Sequence, residues 1–154
     1  MPAQTSYSVY TGSFNHGQLV DMNPTEVDAL AAEAGIGFGL VCKRGTDKDD
    51  QLLVGAASWA AAFGITIRDT SRQLDTIGAT TLSYDIGEMV SVLREGKIAL
   101  TLATGGNAGD AIKYVTATGV IDVGTAGGGE AQITGATLET TTAAGAVGVI
   151  RIRV

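Results

Sequence analysis

The side chains that could act as base, nucleophile or metal ligand are few: one His (His16), one Cys (Cys42) and the 16 Asp and Glu residues. His16 has Ser13 three residues before it and Asp21 five after it. A catalytic triad is assembled by folding and is not recognised from spacing, so nothing here marks His16 as a base. Cys42 lies in an apolar run and reads as a small buried hydrophobe rather than a reactive thiol. A single Cys excludes an intrachain disulfide and fits a reducing compartment. His16 and Cys42 cannot complete a zinc site without carboxylates that no pattern sets beside them. Asp47, Asp49 and Asp50 resemble half of a calcium loop, but the central Gly and the distant bidentate Glu are missing. A solvated turn is expected there instead. Glu26 and Glu33 would share a face if their segment were helical, and surface solvation accounts for both.

Two glycine clusters could suggest phosphate binding. Counted from Gly35, a G-x-G-x-x-G loop needs its third glycine at position 40, which is Leu; counted from Gly37, that place holds Cys42. The order is also wrong, because a strand should precede the glycines and a helix should follow. The second cluster, from Gly105 to Ile112, lacks the Lys-Ser/Thr pair of a P-loop. Both read as turns. No cofactor and no metal is therefore expected, and the chain is not expected to be an enzyme.

The elements that would position any site are short, β-branched runs hung between glycines. Gly supplies 22 of 154 residues, about twice the usual ~7%. Hydrophobic content of 45% allows a core, whereas the charged fraction of 17% lies below the ~25% typical of soluble domains. The net charge of −6, with scattered Lys and Arg, argues against direct nucleic-acid binding, which draws on clustered cations. No apolar stretch reaches the length of ~18–20 residues that spans a bilayer. The first residues show neither a basic nor an apolar region of a signal peptide. A soluble chain made in the cytosol is expected.

Residues 1–23 are polar, with Tyr7, Tyr10 and Phe14 among Ser, Thr, Gly and Asn, and read as an irregular arm. Asn23, Pro24, Glu26 and Gly35 sit where an N-cap, N1, N3 and C′ would fall. With Val27, Leu30, Ala31 and Ala34 they predict one short helix over residues 24–34, or else an extended segment. Strands are expected over residues 38–42, 52–54, 63–67, 112–115, 120–123 and 147–154. Residues 89–93 and 97–102, separated by Arg94-Glu95-Gly96, read as a hairpin. Residues 55–62 are ambiguous, since alanines favour a helix in an otherwise β-like neighbourhood. The C-terminal alternation is expected to be paired inside a sheet, since a free edge invites aggregation. The predicted architecture is all-β: an antiparallel sandwich or jelly-roll-like body over residues 37–154, behind an extended N-terminal arm over residues 1–36 with at most one short helix.

Taken in order, several blocks are similar to those of the structural cement (decoration) proteins of tailed-bacteriophage heads. They are the arm ending Gly17-Gln18-Leu19-Val20-Asp21-Met22-Asn23-Pro24; Ala34 to Gly39 running into Val41; and the turn Arg44-Gly45-Thr46. Further along come Phe63 to Asp69, Tyr84 to Lys97, Ala108-Gly109-Asp110 before a strand, and Ala143 to Arg151. The resemblance covers roughly residues 7–153, and residues 70–83 and 124–135 depart from it. It implies a non-enzymatic structural protein on the outer surface of the virion, synthesised in the bacterial host cytoplasm. It implies the major capsid protein as partner, bridging of neighbouring capsid subunits against internal DNA pressure, and self-association as a dimer or trimer at symmetry axes. Buried aromatics often dominate interface energy, so Tyr7, Tyr10 and Phe14 are the candidate capsid or self-contact residues. They could equally pack the arm onto its own domain. The alternative reading is a host- or glycan-binding β-sandwich module of a phage particle.

Overall fold

Period-two alternation in the sequence becomes strand wherever two neighbours can share a backbone ladder. The computed structural model describes residues 14–69 and 83–153. Within them lie β1 (Gln18–Ala32), β2 (Ile36–Gly37), β3 (Val41–Arg44), β4 (Gln51–Val54), β5 (Gly64–Thr66), β6 (Ser83–Tyr84), β7 (Met89–Thr101), β8 (Ala111–Val115), β9 (Ile121–Val123), β10 (Glu130–Leu138) and β11 (Val147–Arg153). The chain is all-β, dominated by antiparallel pairing and sandwich-like in its packing. The alanine-rich segment that the sequence left ambiguous supplies a single 3-10 turn, Trp59–Ala61.

A nine-stranded sheet runs β1-β4-β3-β5-β7-β11-β10-β8-β9, and β1 pairs again with β7. That second pairing closes β1, β4, β3, β5 and β7 into a ring. β1–β4 is parallel, whereas the other ring contacts are antiparallel. The hydrophobic core divides accordingly. Ile36, Phe38, Cys42, Leu52, Phe63, Tyr84, Val90 and Val92 form one cluster. A larger one joins Val41, Ile65 and Leu93 to residues of β8, β10 and β11 such as Ile112, Ile133 and Ile150. Val92 and Leu93 belong to different clusters because successive side chains point to opposite faces. Thr66 is buried within the ring, and its hydroxyl donates to the Gly37 carbonyl at 2.7 Å and accepts from the Leu40 amide at 3.0 Å. A buried hydroxyl without such partners would cost about 1–3 kcal/mol.

Of the two alternatives for residues 24–34, the extended one holds and the helix does not form: β1 occupies Gln18–Ala32 and pairs with β7 from Gln18↔Ala99 to Ala31↔Met89. The register breaks between Asp21↔Lys97 and Glu26↔Glu95, which places Pro24 in an irregularity. A proline is tolerated there because it owes the ladder no N–H. The capping residues offered a local signal; the long ladder with β7 outweighs it. The expected hairpin is also absent, since Met89–Thr101 is one continuous strand. Gly96 is buried with φ +137°, a conformation that glycine reaches readily. It marks a kink rather than a reversal. At that kink one edge of β7 changes partner, from β5 at Val92 and Leu93 to β11 from Glu95 onward. The C-terminal strand is paired as expected, with β7 on one side and β10 on the other.

The segment before β1 is stapled to the body by His16. Nε2 lies 2.8 Å from the Phe38 carbonyl, and Nδ1 accepts the Thr101 amide at 3.0 Å. The carbonyl requires a proton on Nε2 and the amide requires a lone pair on Nδ1, so the neutral tautomer fits. The Gly17 amide donates to the Ala99 carbonyl and the Arg68 amide donates to the Gly17 carbonyl, at 2.8 and 2.7 Å. Gly39 makes the approach possible: it has φ +68°, and a Cβ there would stand 2.6 Å from both His16 Nε2 and Leu100 Cδ2.

Two outcomes follow for stability. Gly39→Ala is expected to destabilise the fold by about 1–3 kcal/mol through overpacking and backbone strain, read as a lower denaturant midpoint. Burial holds the His16 pKa below its usual 6.5; the bond to Phe38 opposes this shift and the Arg68 charge adds to it. With the folded pKa lowered, the unfolded chain takes up the proton more readily. The staple's contribution is therefore complete above pH ~6.5 and is lost as pH falls toward the folded value. Thermal midpoints measured between pH 7.5 and 5 should fall in the native chain and fall less in His16→Gln. Equal slopes would refute the staple.

Candidate interaction surfaces

The residues that resembled reactive groups are tied into structure. Cys42 lies inside the ring with its thiol 3.5 Å from the Gly64 carbonyl, and burial pushes its pKa up to about 12. Such a thiol stays protonated and shielded at neutral pH. His16 spends both ring nitrogens on backbone groups. The Asp47–Asp50 stretch is a turn: the Asp49 amide donates to Asp47 Oδ1 at 3.1 Å, and the Asp47 amide to Gln51 Oε1 at 3.2 Å. Glu33 accepts both the amide and the hydroxyl of Thr46 at 2.7 Å. Those bonds hold its carboxyl below the usual range. Glu26, placed on a strand rather than a helix, lies 3.9 Å from Arg94 Nε. In the second glycine cluster the Asn107 amide donates to Asp110 Oδ2 at 2.7 Å, and Gly106 bridges to Thr142. Among the described residues no group of His, Cys, Asp and Glu stands together as a metal site.

The surfaces are more telling. On β1, Val27, Ala29 and Ala31 share the outward side and face Leu93, Ser91 and Met89 across the ladder. Val27 is 46% exposed and Met89 62%, and Ile86, in the adjoining turn, is 74% exposed. The turn is fastened beside them by the Gly87 amide on the Ala32 carbonyl and the Ala32 amide on the Glu88 carbonyl. The result is a stripe of exposed aliphatic side chains on a strand pair that cannot easily shift. Buried apolar area is worth roughly 25 cal/mol per Å², so such a stripe gains by being covered. Ala31 stands opposite Met89, whereas Val27 stands opposite Leu93, four residues farther along β7, so Val27 marks the far end of the same side.

Of the predicted contact residues, Phe14 is half-buried at the start of the described chain, next to the His16 staple. Tyr7 and Tyr10 lie outside the described residues. At the end of the ring near Arg44, the guanidinium carbons of Arg44 and Arg94 stand 4.7 and 4.9 Å from the Phe63 ring centroid. Arg94 also approaches Asp28 at 3.7 Å. Stacking of this kind fixes two cations against an apolar plug.

On the opposite layer, β10 and β11 pair at Thr137↔Arg151 and Leu138↔Ile150, and the Glu139 amide donates to the Val149 carbonyl at 2.8 Å. An open depression of about 350 Å³ beside these pairs is lined by Gly135, Thr137, Glu139, Arg151, Ile152 and Arg153. On the edge strand β9, Asp122 accepts the Thr104 hydroxyl at 2.6 Å and amide at 3.1 Å. Burial works against its charge, yet these bonds, the Val123 amide and Lys113 together hold its pKa low.

Comparison with known proteins identifies the fold and the family. A chain in a solved structure described as the capsid of Myoviridae phage XM1 has the same fold, with a TM-score of 0.70 at 16% identity, covering 99% of this chain and 98% of that one. No curated protein matches. The family model for structural cement protein (E217 gp24/Pam3 gp6) matches residues 3–153. The chain therefore belongs to the phage structural cement protein family, and is a structural, capsid-associated component of a virion.

Proposed function

We propose that this protein binds the outer surface of a phage head, bridges neighbouring major capsid protein subunits and stabilises the expanded shell against the pressure of packaged DNA. The observation that carries the reading is the family match over residues 3–153. The role is non-enzymatic, in keeping with a buried thiol and a histidine whose nitrogens are both engaged. Bridging suits a rigid β body, because contacts made by one body to two subunits turn the second binding step into a nearly intramolecular one. Modest contacts then resist separation far better together than singly.

Within this reading the N-terminal arm (residues 1–36) and the β body (residues 37–154) divide the labour. The body offers Ile86 and Met89, and β1 at the end of the N-terminal portion adds Val27. Tyr7, Tyr10 and Phe14 anchor the arm on the capsid or on a second copy, as a dimer or trimer at a symmetry axis. Synthesis in the host cytoplasm supplies a folded chain that adds to the shell after expansion and makes no direct contact with the nucleic acid.

The test is to add purified protein to expanded heads that lack it and to follow sedimentation and heat release of DNA. Bound protein and a raised release temperature are expected; heads that neither bind the chain nor gain heat resistance would sink the proposal. Met89→Asp and Ile86→Asp place charge on exposed positions and should leave the unfolding midpoint nearly unchanged. Each is expected to weaken head binding about tenfold or more if the stripe is covered in the complex. Removing residues 1–13 keeps the His16 staple, so the chain should still fold while losing the Tyr7 and Tyr10 contribution to binding. Undiminished binding by that truncation would free those tyrosines of the role.

A further inference from the structure

One edge of β1 runs out of partners. The Ala32 amide donates to the Glu88 carbonyl on the β7 side, whereas the Ala31 amide donates to the Asp50 carbonyl on the β4 side, both at 2.8 Å. Backbone groups alternate between the two edges of a strand, so those of Ala29 and Val27 point with Ala31, away from β7. β4 begins at Gln51, and its parallel register with β1 is Ala31↔Gln51 and Ala32↔Leu52. To cover Ala29 it would have to extend back through Asp50 and Asp49. Those residues instead belong to the turn in which the Gln51 amide donates to the Asp47 carbonyl at 3.0 Å. Among the described residues, then, no strand pairs with Val27 and Ala29 on this edge. Exposure agrees. Glu26, Val27, Asp28 and Ala29 are exposed in succession, where a strand covered on one face would alternate. An open margin of this kind is a template for a further strand.

The side chains beside the margin narrow what fits there. Val27 and Ala29 flank one face. Glu26 and Asp28 flank the other, where both carboxylates share the Arg94 guanidinium at 3.9 and 3.7 Å. Two β1 margins paired antiparallel about this stretch would set Asp28 against its own copy, and like charges directly opposite are unfavourable. The thirteen residues before Phe14 carry no charged side chain. They alternate, with Thr5, Tyr7, Val9 and Thr11 in one set and Ser6, Ser8 and Tyr10 in the other. Thr, Tyr and Val favour strands. The first set matches Val27 and Ala29, and the hydroxyls of the second can donate to Glu26 and Asp28.

The turn that leads into β1 is not of the kind that pairs the preceding chain with β1. The Gln18 amide donates to the Asn15 carbonyl at 3.1 Å, and φ is positive at Gly17, +79°, but not at His16. That is the type II pattern, which splays the flanking segments, whereas tight hairpins use the mirror-image turns. Thirteen residues of extended chain reach about 43 Å, enough to cross to a neighbouring molecule.

We propose that residues 5–11 of one copy add as a strand to the free margin at residues 27–29 of β1 in a second copy. This deepens the self-association within the capsid-binding reading and rests on that part of it. Main-chain bonds supply affinity, and the two alternating sets supply register.

The experiment follows the full chain by sedimentation over a range of concentrations, with amide exchange at Val27 and Ala29 and a separate measurement of binding to expanded heads. Mass is expected to rise above 15.6 kDa with concentration, and exchange at both amides to slow with it. Ala29→Pro removes an outward N–H, a change that edge strands tolerate, and should weaken association about tenfold. Ser8→Asp should weaken it about fivefold, whereas Ser8→Lys should not. If Ala29→Pro lowers the unfolding midpoint, the Ser8 pair alone decides. A chain that stays at 15.6 kDa overturns the proposal, and slow exchange at that mass makes its own N-terminal segment the occupant. Slowing that needs heads makes a shell segment the occupant and overturns it as well. Association that the two Ser8 variants change alike places the contact elsewhere. Strand exchange without head binding sinks the capsid reading and leaves this one standing; head binding by a monomer does the reverse.

Discussion

The structure depends on the two-sided pairing of β7. One edge of this strand holds β1 from Gln18 to Ala31, and the other holds β5 and then β11. Every other layer is attached through one of these ladders. A strand paired on both edges has no free backbone donors to slip on, and its register is fixed because its side chains enter both core clusters, Val90 and Val92 the one and Leu93, Ile98 and Leu100 the other. The kink at Gly96 lets one strand serve two layers, because it turns the second half of β7 toward β11 while β1 follows along the opposite edge. The ring and the sandwich are thus one continuous hydrogen-bonded object, and strain applied to one is carried to the other through backbone rather than through loops.

Around that spine, carboxylates and one imidazole fix the loops. Glu33 holds Thr46, Asp122 holds Thr104, and Glu130 holds the Gly127 amide at 2.8 Å and Lys113 at 3.0 Å. All three carboxyls have pKa values below the ordinary range, Glu130 through the Gly127 amide first and then Lys113. A lowered carboxyl pKa means that the bound form is complete above the unfolded value and is lost as pH falls through the folded one. His16 works in the same sense from a higher starting value. The loops are therefore held most firmly from neutral pH upward, and a rigid surface loses little ordering entropy in any contact it makes.

Much of this was legible in the sequence. The β-branched runs at 63–67 and 147–154 contain the strands Gly64–Thr66 and Val147–Arg153, the first buried on both faces and the second carrying Ile150 and Ile152 into the core, and the turns at Thr46–Asp50 and Thr104–Asp110 follow from their polar, glycine-containing composition. Residues 24–34 misled for a physical reason: a cap, a proline and alternating alanines satisfy a helix locally, and only the distant partner Met89–Leu93 turns them into strand. Arg94-Glu95-Gly96 misled in the converse way, since a glycine with neighbouring charges signals reversal unless both flanks are already claimed by other strands. His16 stood out as the lone histidine, but its partners Phe38 and Thr101 are far away in sequence and no spacing rule joins them. The same holds for the interaction surfaces. Val27 and Met89 come to one side of the molecule only through the β1–β7 ladder.

The low charge and the lack of reactive groups then have a common physical meaning. A protein that works by contact needs its apolar exposure confined and its charges placed where they discriminate. Here the exposed aliphatic side chains Val27, Ile86 and Met89 gather at one strand pair, whereas Arg151 and Arg153 lie on β11. An apolar stripe attracts any hydrophobic surface, including another copy, so gathering the exposed aliphatic side chains in one place limits where such contact can form. Exposed Val120 and Val147 lie apart from the stripe; single apolar residues of this sort are ordinary on protein surfaces and carry no such consequence.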